Sequence, residues 1–181
     1  MPFLREYTGR TLQWTRPHFF SASHELRAGE QLLATVNRTG MMKQRAVAEA
    51  EGQQWTFRRE GLMGRKAVIY PTASKEHPAN EPVLALASIQ PGWSGTGTLS
   101  FHDGRAYTWT RTGNWRPVWS WVGPGNKTLL SIKKGRLLEI APAASDLPDL
   151  ALLSLFGLYL ILMMESDEAA SSAAIAGAVS S

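Results

Sequence analysis

Residues 150–164 read LALLSLFGLYLILMM, and where this stretch is buried decides the fold. No charge interrupts it, and its polar groups are the hydroxyls of Ser154 and Tyr159. Leucine, methionine and alanine dominate it, which favours helix over strand. A helix lying on a protein surface carries a polar stripe every three to four residues. This one carries none, so it is apolar on all sides and belongs in the middle of a protein or in a bilayer. A spanning helix needs about 20 apolar residues. The run of 15 is closed off by Pro148 and Asp149 before it and by Glu165, Asp167 and Glu168 after it. Burial in protein is the expected outcome, with a tail anchor in a thin membrane as the alternative. The helix start is read in residues 146–149: Asp146 as cap, Pro148 in the first turn, Asp149 at the positive end of the dipole.

Upstream, the chain reads as short β-strands punctuated by turns. The expected strands are 12–20, 23–27, 31–37, 42–49, 54–59, 66–71, 82–89, 97–102, 105–111, 115–122, 127–133 and 136–140. Turn chemistry separates them, as at Ala28-Gly29, Asp103-Gly104 and Lys134-Gly135. Residues 41–51, MMKQRAVAEAE, are good helix formers and leave a helical turn open as the alternative there. Short strands at this spacing indicate a barrel or sandwich. At about 1.5 Å per residue the apolar helix is roughly 22 Å long. A seven-residue strand at about 3.3 Å per residue nearly matches it. Side chains alone fill a barrel of only about eight strands, so a larger one needs a plug. The expected fold class is therefore all-β with one central helix: a closed antiparallel barrel of about twelve strands threaded by the apolar C-terminal helix. Residues 1–164 form one domain, with its buried helix at 147–164. The Ala/Ser-rich residues 165–181 are expected to fray and become disordered.

Asp103-Gly104 suits a two-residue type I′ turn. In the next hairpin, a loop at Thr112–Asn114 places Arg111 opposite Trp115, Trp109 opposite Pro117 and Tyr107 opposite Trp119. That register avoids setting Arg111 against Arg116. It also gathers Tyr107, Trp109, Trp115, Trp119 and Trp121 on one face, either as core or as a stacking platform for a ligand.

The net charge of +4 conceals an asymmetry. Residues 1–140 hold all 19 Lys and Arg against 10 acids, while residues 141–181 hold five acids and no base. A basic body attracts anionic partners. One loop concentrates the cations: Arg58, Arg59, Arg65 and Lys66 flank Leu62-Met63, so that the apolar tip could enter a membrane interface while the cations hold phosphates. The chain contains no cysteine, which excludes disulfides, thiolate metal sites and cysteine nucleophiles. His18, His24, His77 and His102 have no helical pair spacing and are expected at the surface, so no metal is expected. No G-x-S-x-G elbow or Walker loop is present. The first ten residues, MPFLREYTGR, contain no apolar run and are not read as a secretory signal.

The strand count, the element order and the LALLSLFGLYLILMM helix together resemble the tubby C-terminal-like superfamily, which includes tubby domains, phospholipid scramblases and LURP-one-related proteins. The resemblance covers roughly residues 11–164 and implies a closed barrel threaded by its last helix. The acylated cysteine cluster of the scramblases has no counterpart here, so lipid scrambling is not implied. The expected function is a non-enzymatic binding or scaffold domain without a cofactor. Its expected partner is an anionic membrane lipid or a protein, its location cytoplasmic and peripheral to a membrane. The alternatives are a small-ligand carrier or enzyme with a Trp-rich pocket, or a tail-anchored protein.

Overall fold

In the computed structural model, residues 1–18, 21–39, 44–61, 66–72, 85–92 and 95–179 are described, with side chains as far as Ile175. Twelve antiparallel strands form one closed barrel: β1 (Thr11–Thr15), β2 (Ser23–Ala28), β3 (Gln31–Thr39), β4 (Arg45–Ala50), β5 (Gln53–Glu60), β6 (Lys66–Pro71), β7 (Ala87–Ile89), β8 (Gly97–Phe101), β9 (Ala106–Thr112), β10 (Val118–Gly123), β11 (Lys127–Lys133) and β12 (Leu137–Ile140). Each strand pairs with its neighbours in sequence, and β1 closes on β12 through Leu12 opposite Leu138. The alternation that specifies this pairing is visible in β4, where Ala46, Ala48 and Ala50 are buried and the residues between them are not. The barrel has no free edge for another strand to join.

The helix α1 (Leu150–Val179) enters at one end and runs through the lumen. From Leu150 to Met163 every residue of α1 is buried. Phe156 meets the Phe57 ring edge-on at 5.0 Å, and the Trp121 indole donates to the Leu153 carbonyl at 2.8 Å. Residues 150–175 are long and apolar enough to cross a membrane by length and composition, but 72% of the apolar window is buried inside the protein. The barrel wall takes the place of lipid.

Several expectations change in detail. The first strand stops at Thr15, short of Pro17, which offers no N–H to a ladder. The alternative of a helical turn in residues 41–51 gives way to β4, because Ala46 and Ala48 pair with Phe57 and Trp55; residues 41–43 lie outside the described residues. Of the expected strand 82–89, β7 forms only Ala87–Ile89, residues 85 and 86 are outside the strand, and residues 82–84 lie outside the described residues. The Asp103-Gly104 turn is a three-residue loop, with Phe101 donating to Arg105 and Gly104, at φ 89°, donating to Phe101. The two-residue type I′ turn falls instead at Glu51-Gly52, where both φ values are positive (54° and 77°).

The β9–β10 register also differs from the expected one. Arg111 faces Trp119 and Trp109 faces Trp121, so residues 113–117 make a five-residue loop. Gly113 turns at φ 76°, where an added Cβ would lie 2.8 Å from the Arg116 carbonyl oxygen, and Pro117 keeps the strand from starting earlier. The register brings the Arg111 guanidinium over the Trp119 ring at 5.4 Å and stacks Trp109 on Trp119 at 5.6 Å.

At the helix start, Asp149, not Asp146, is the residue immediately before the first turn. Its carboxylate accepts from the Tyr107 hydroxyl at 2.7 Å and from Arg105. This contact ties the helix to the β8–β9 hairpin. At the other end the helix does not fray at Met164 but continues through Val179. Arg136 and Arg59 hold its first exposed acids, Glu165 and Asp167, and alanine favours helix in the segment that follows.

Candidate functional site

The direction of each strand sorts the loops into two rims. The helix enters beside the β2–β3, β4–β5, β8–β9 and β10–β11 turns, and it leaves at the opposite rim, beside the β9–β10 and β11–β12 turns and the ends of β3 and β5. Charge is sorted with them. Among the described residues, the exit end holds eleven cations (Arg16, Arg38, Arg45, Arg58, Arg59, Lys66, Arg111, Arg116, Lys133, Lys134 and Arg136) against four acids (Glu60, Glu165, Asp167 and Glu168), while Glu25 and Glu139 lie along the wall, paired with Arg27 and Lys133. The entry end holds five cations (Arg5, Arg10, Arg27, Arg105 and Lys127) against seven acids (Glu6, Glu30, Glu49, Glu51, Asp103, Asp146 and Asp149). The basic excess read from the sequence is therefore a feature of one end.

Strand alternation divides the exit-end cations into two sets. Arg38 and Arg59 lie on the inward face, with Val36 and Phe57 of the core. Arg38 donates to Ser166 at 2.9 Å, Arg59 takes Asp167 in a bidentate pair at 2.7 and 2.9 Å, and Arg136 donates to Glu165 at 2.9 Å. These side chains form a collar where the helix leaves the barrel. Within it, the bidentate Arg59–Asp167 pair has the geometry suited to fixing the helix's axial position.

The outward set faces solvent on β4–β6. Arg45 stands directly opposite Arg58, both are exposed, and Lys66 is exposed on the next strand. Arg58 also lies over the Tyr70 ring at 5.2 Å, and Tyr70 donates to Glu60 at 2.6 Å. That hydrogen bond raises the Tyr70 pKa above its ordinary value, with a smaller contribution from burial. The four cations expected to act together are thus separated: Arg58 and Lys66 face outward, Arg59 grips the helix, and Arg65, with Leu62 and Met63, lies outside the described residues. Arg45, which belongs with Arg58, was not legible, because its partner depends on a register that sequence alone does not set.

The aromatic face separates in the same way. Trp109 and Trp121 are fully buried, Tyr107 is buried, and Trp119 is half-buried at the exit rim. Trp115 sits at the tip of the five-residue loop and is 95% exposed, so it does not belong to that face. The three buried rings pack inside the barrel and leave no internal platform for a ligand. Burial, followed by the hydrogen bond to Asp149, raises the Tyr107 pKa.

His24, expected at the surface, is 1% exposed on the inner face of β2, whereas His18 and His102 are exposed and His77 lies outside the described residues. Its Nε2 accepts from Arg16 Nε at 3.1 Å, which requires a neutral imidazole. Burial first, then the charges of Arg136, Arg16 and Arg38, lower its pKa to about 4. The folded pKa is below the unfolded value of about 6.5, so this stabilisation is complete above pH 6.5 and is lost as pH falls toward 4. Urea midpoints measured at pH 7 and pH 5 are expected to report a loss of about 2 kcal/mol, which His24→Gln largely abolishes. An equal loss in the variant would remove His24 as the cause.

Among the described residues no three His, Asp or Glu side chains converge as a metal site. A cleft of about 650 Å³ opens at the exit rim between α1, a group formed by Gln90, Pro91, Gly92 and Gly95, and the β9–β10 end. Comparison with family models, curated proteins and solved structures gives no match to this chain.

Proposed function

We propose that this chain is a non-enzymatic binding domain of the tubby-like kind that docks on anionic lipid, at the cytoplasmic face of a membrane, through the outer wall of β4–β6 at the exit end. The observation that carries the proposal is Arg45 held directly opposite Arg58 on neighbouring strands, with Lys66 diagonally across from Arg58 on β6, where it faces Glu60, itself already engaged by the Tyr70 hydroxyl. Like charges facing each other across strands are unfavourable, and a phosphate lying between them turns that repulsion into attraction. The filled lumen supports the same reading, because it moves recognition to the outside. The twelve-strand closed barrel with a central apolar helix supports the kinship.

Helix geometry selects the orientation. Beyond Glu165 the helix projects about 20 Å past the rim, which stops an end-on approach to a flat surface. Docking through the side wall leaves the helix parallel to the membrane.

Each cation near an anionic surface contributes about 1 kcal/mol. Sedimentation with phosphatidylserine vesicles is therefore expected to show binding that weakens with salt, and the Arg45→Glu/Arg58→Glu/Lys66→Glu variant is expected to lose at least about 100-fold in affinity. A parent protein that ignores these vesicles, or a triple variant that binds them equally well, ends the proposal.

A further inference from the structure

The cleft at the exit rim borders the inward-facing Arg59, whereas the lipid-docking patch is on the outward face of β4–β6, and the cleft has its own chemistry. Its floor is apolar: Met163, Met164 and the half-buried Trp119 line it, and a Cβ on Gly95 would lie 2.5 Å from the Met164 sulfur and 2.9 Å from the Trp119 ring. Methionine and tryptophan side chains make a floor that adapts to a hydrocarbon chain. The volume is in the range of small-molecule sites.

The rim of the cleft carries four charges. Arg59 and Asp167 satisfy each other in their bidentate pair. The other two line the cleft from different elements. Arg111, on β9, lies over Trp119 and has no carboxylate partner among the described residues. Glu168, on α1, is exposed and its carboxylate likewise has no cationic partner among them. Glu168 is four residues after Met164, so the helix face bordering the cleft changes from apolar to acidic as it leaves the barrel. The cleft therefore offers an apolar floor, one uncommitted cation and one uncommitted anion. A ligand bearing a single charge would satisfy one of the two and leave the other without a partner.

From this arrangement we infer that the cleft binds a zwitterionic single-chain amphiphile of the alkylphosphocholine or lysophospholipid class. The chain lies on Met163, Met164 and Trp119, the phosphate meets Arg111, and the ammonium group meets Glu168. The site is independent of the β4–β6 patch, and the experiment keeps the two apart. Calorimetric titration of the full chain with dodecylphosphocholine below its micellar concentration is expected to show saturable one-to-one binding. Arg111→Gln and Glu168→Gln, both changes of exposed side chains, each weaken it about tenfold. Dodecyl phosphate and dodecyltrimethylammonium, with the same chain and one charge each, bind about tenfold more weakly than the zwitterion. The Arg45→Glu/Arg58→Glu/Lys66→Glu variant keeps its dodecylphosphocholine affinity while losing vesicle binding. The inference is overturned by an absence of saturable binding, by a single-charge amphiphile that binds as well as the zwitterion, or by a Glu168→Gln variant that binds as well as the parent. Loss of dodecylphosphocholine binding in the β4–β6 variant would also overturn it as a separate site.

Discussion

A chain truncated after Asp149 is expected not to fold. Between Leu150 and Met163 the helix places ten leucine, isoleucine, methionine and phenylalanine side chains in the lumen, each no more than 8% exposed. At about 1.5–3 kcal/mol for each such side chain, their burial contributes roughly 15–30 kcal/mol before entropy is counted. A domain of this kind has a net stability of only about 5–15 kcal/mol. Removing the helix also leaves the rings of Phe57, Trp109 and Trp121 around an open channel, because twelve strands are too many for their own side chains to close. The expected observations are loss of the cooperative thermal transition, strong binding of a hydrophobic dye and rapid proteolysis. The full chain should be soluble without detergent, with residues 150–163 protected. A truncated chain that remained a soluble cooperative barrel would mean that the helix is an appendage, as a tail anchor would be.

The features legible in sequence were those set by periodicity and by absences. An apolar run without a polar stripe permits few environments, and its 15 residues matched a strand in length, so the plug and the number of strands around it followed together. Features set by register were hidden. Trp115 shares a face with Trp119 and Trp121 only if the strand extends back to it, and β10 begins at Val118 because Gly113 and Pro117 together make a five-residue loop that holds Trp115. Arg58 and Arg59 are adjacent in sequence and so were read as one cluster. Adjacency in a strand places them on opposite faces, and the acids they could meet lie more than a hundred residues away on the helix. His24 between Ser23 and Glu25 looks like a surface residue, and only barrel closure brings Arg16, Arg38 and Arg136 around it. The exit cleft has no local signal, since its lining comes from β5, β9, β10, α1 and the separate residues Gln90, Pro91, Gly92 and Gly95.

Gly157→Leu is expected to destabilise the protein by about 4 kcal/mol or more, although helix propensity favours leucine over glycine at that position. Gly157 lies mid-helix where the barrel wall comes closest: an added Cβ would sit 3.0 Å from Trp121 Nε1 and 3.2 Å from both Trp109 and Ile132. The approach has a purpose, because the Trp121 indole donates to the Leu153 carbonyl one turn earlier. Alanine brings two opposing effects to this site. It recovers about 1 kcal/mol of backbone propensity and costs about 1–3 kcal/mol of overpacking, so Gly157→Ala should be mildly destabilising or neutral. Leucine adds three further carbons against two indoles that are fully buried and cannot swing into solvent. Moving Trp121 aside leaves its N–H buried without an acceptor, at a further cost of about 1–3 kcal/mol. Urea denaturation should therefore rank the parent at or above Gly157→Ala, and both well above Gly157→Leu. Adding Trp121→Phe to Gly157→Leu should recover part of the loss by making room and removing the stranded donor. The sign separates the two environments for this helix. In a bilayer the extra leucine would strengthen insertion and leave the barrel unaffected, so a Gly157→Leu protein as stable as the parent would place the helix outside the wall formed by Trp109 and Trp121.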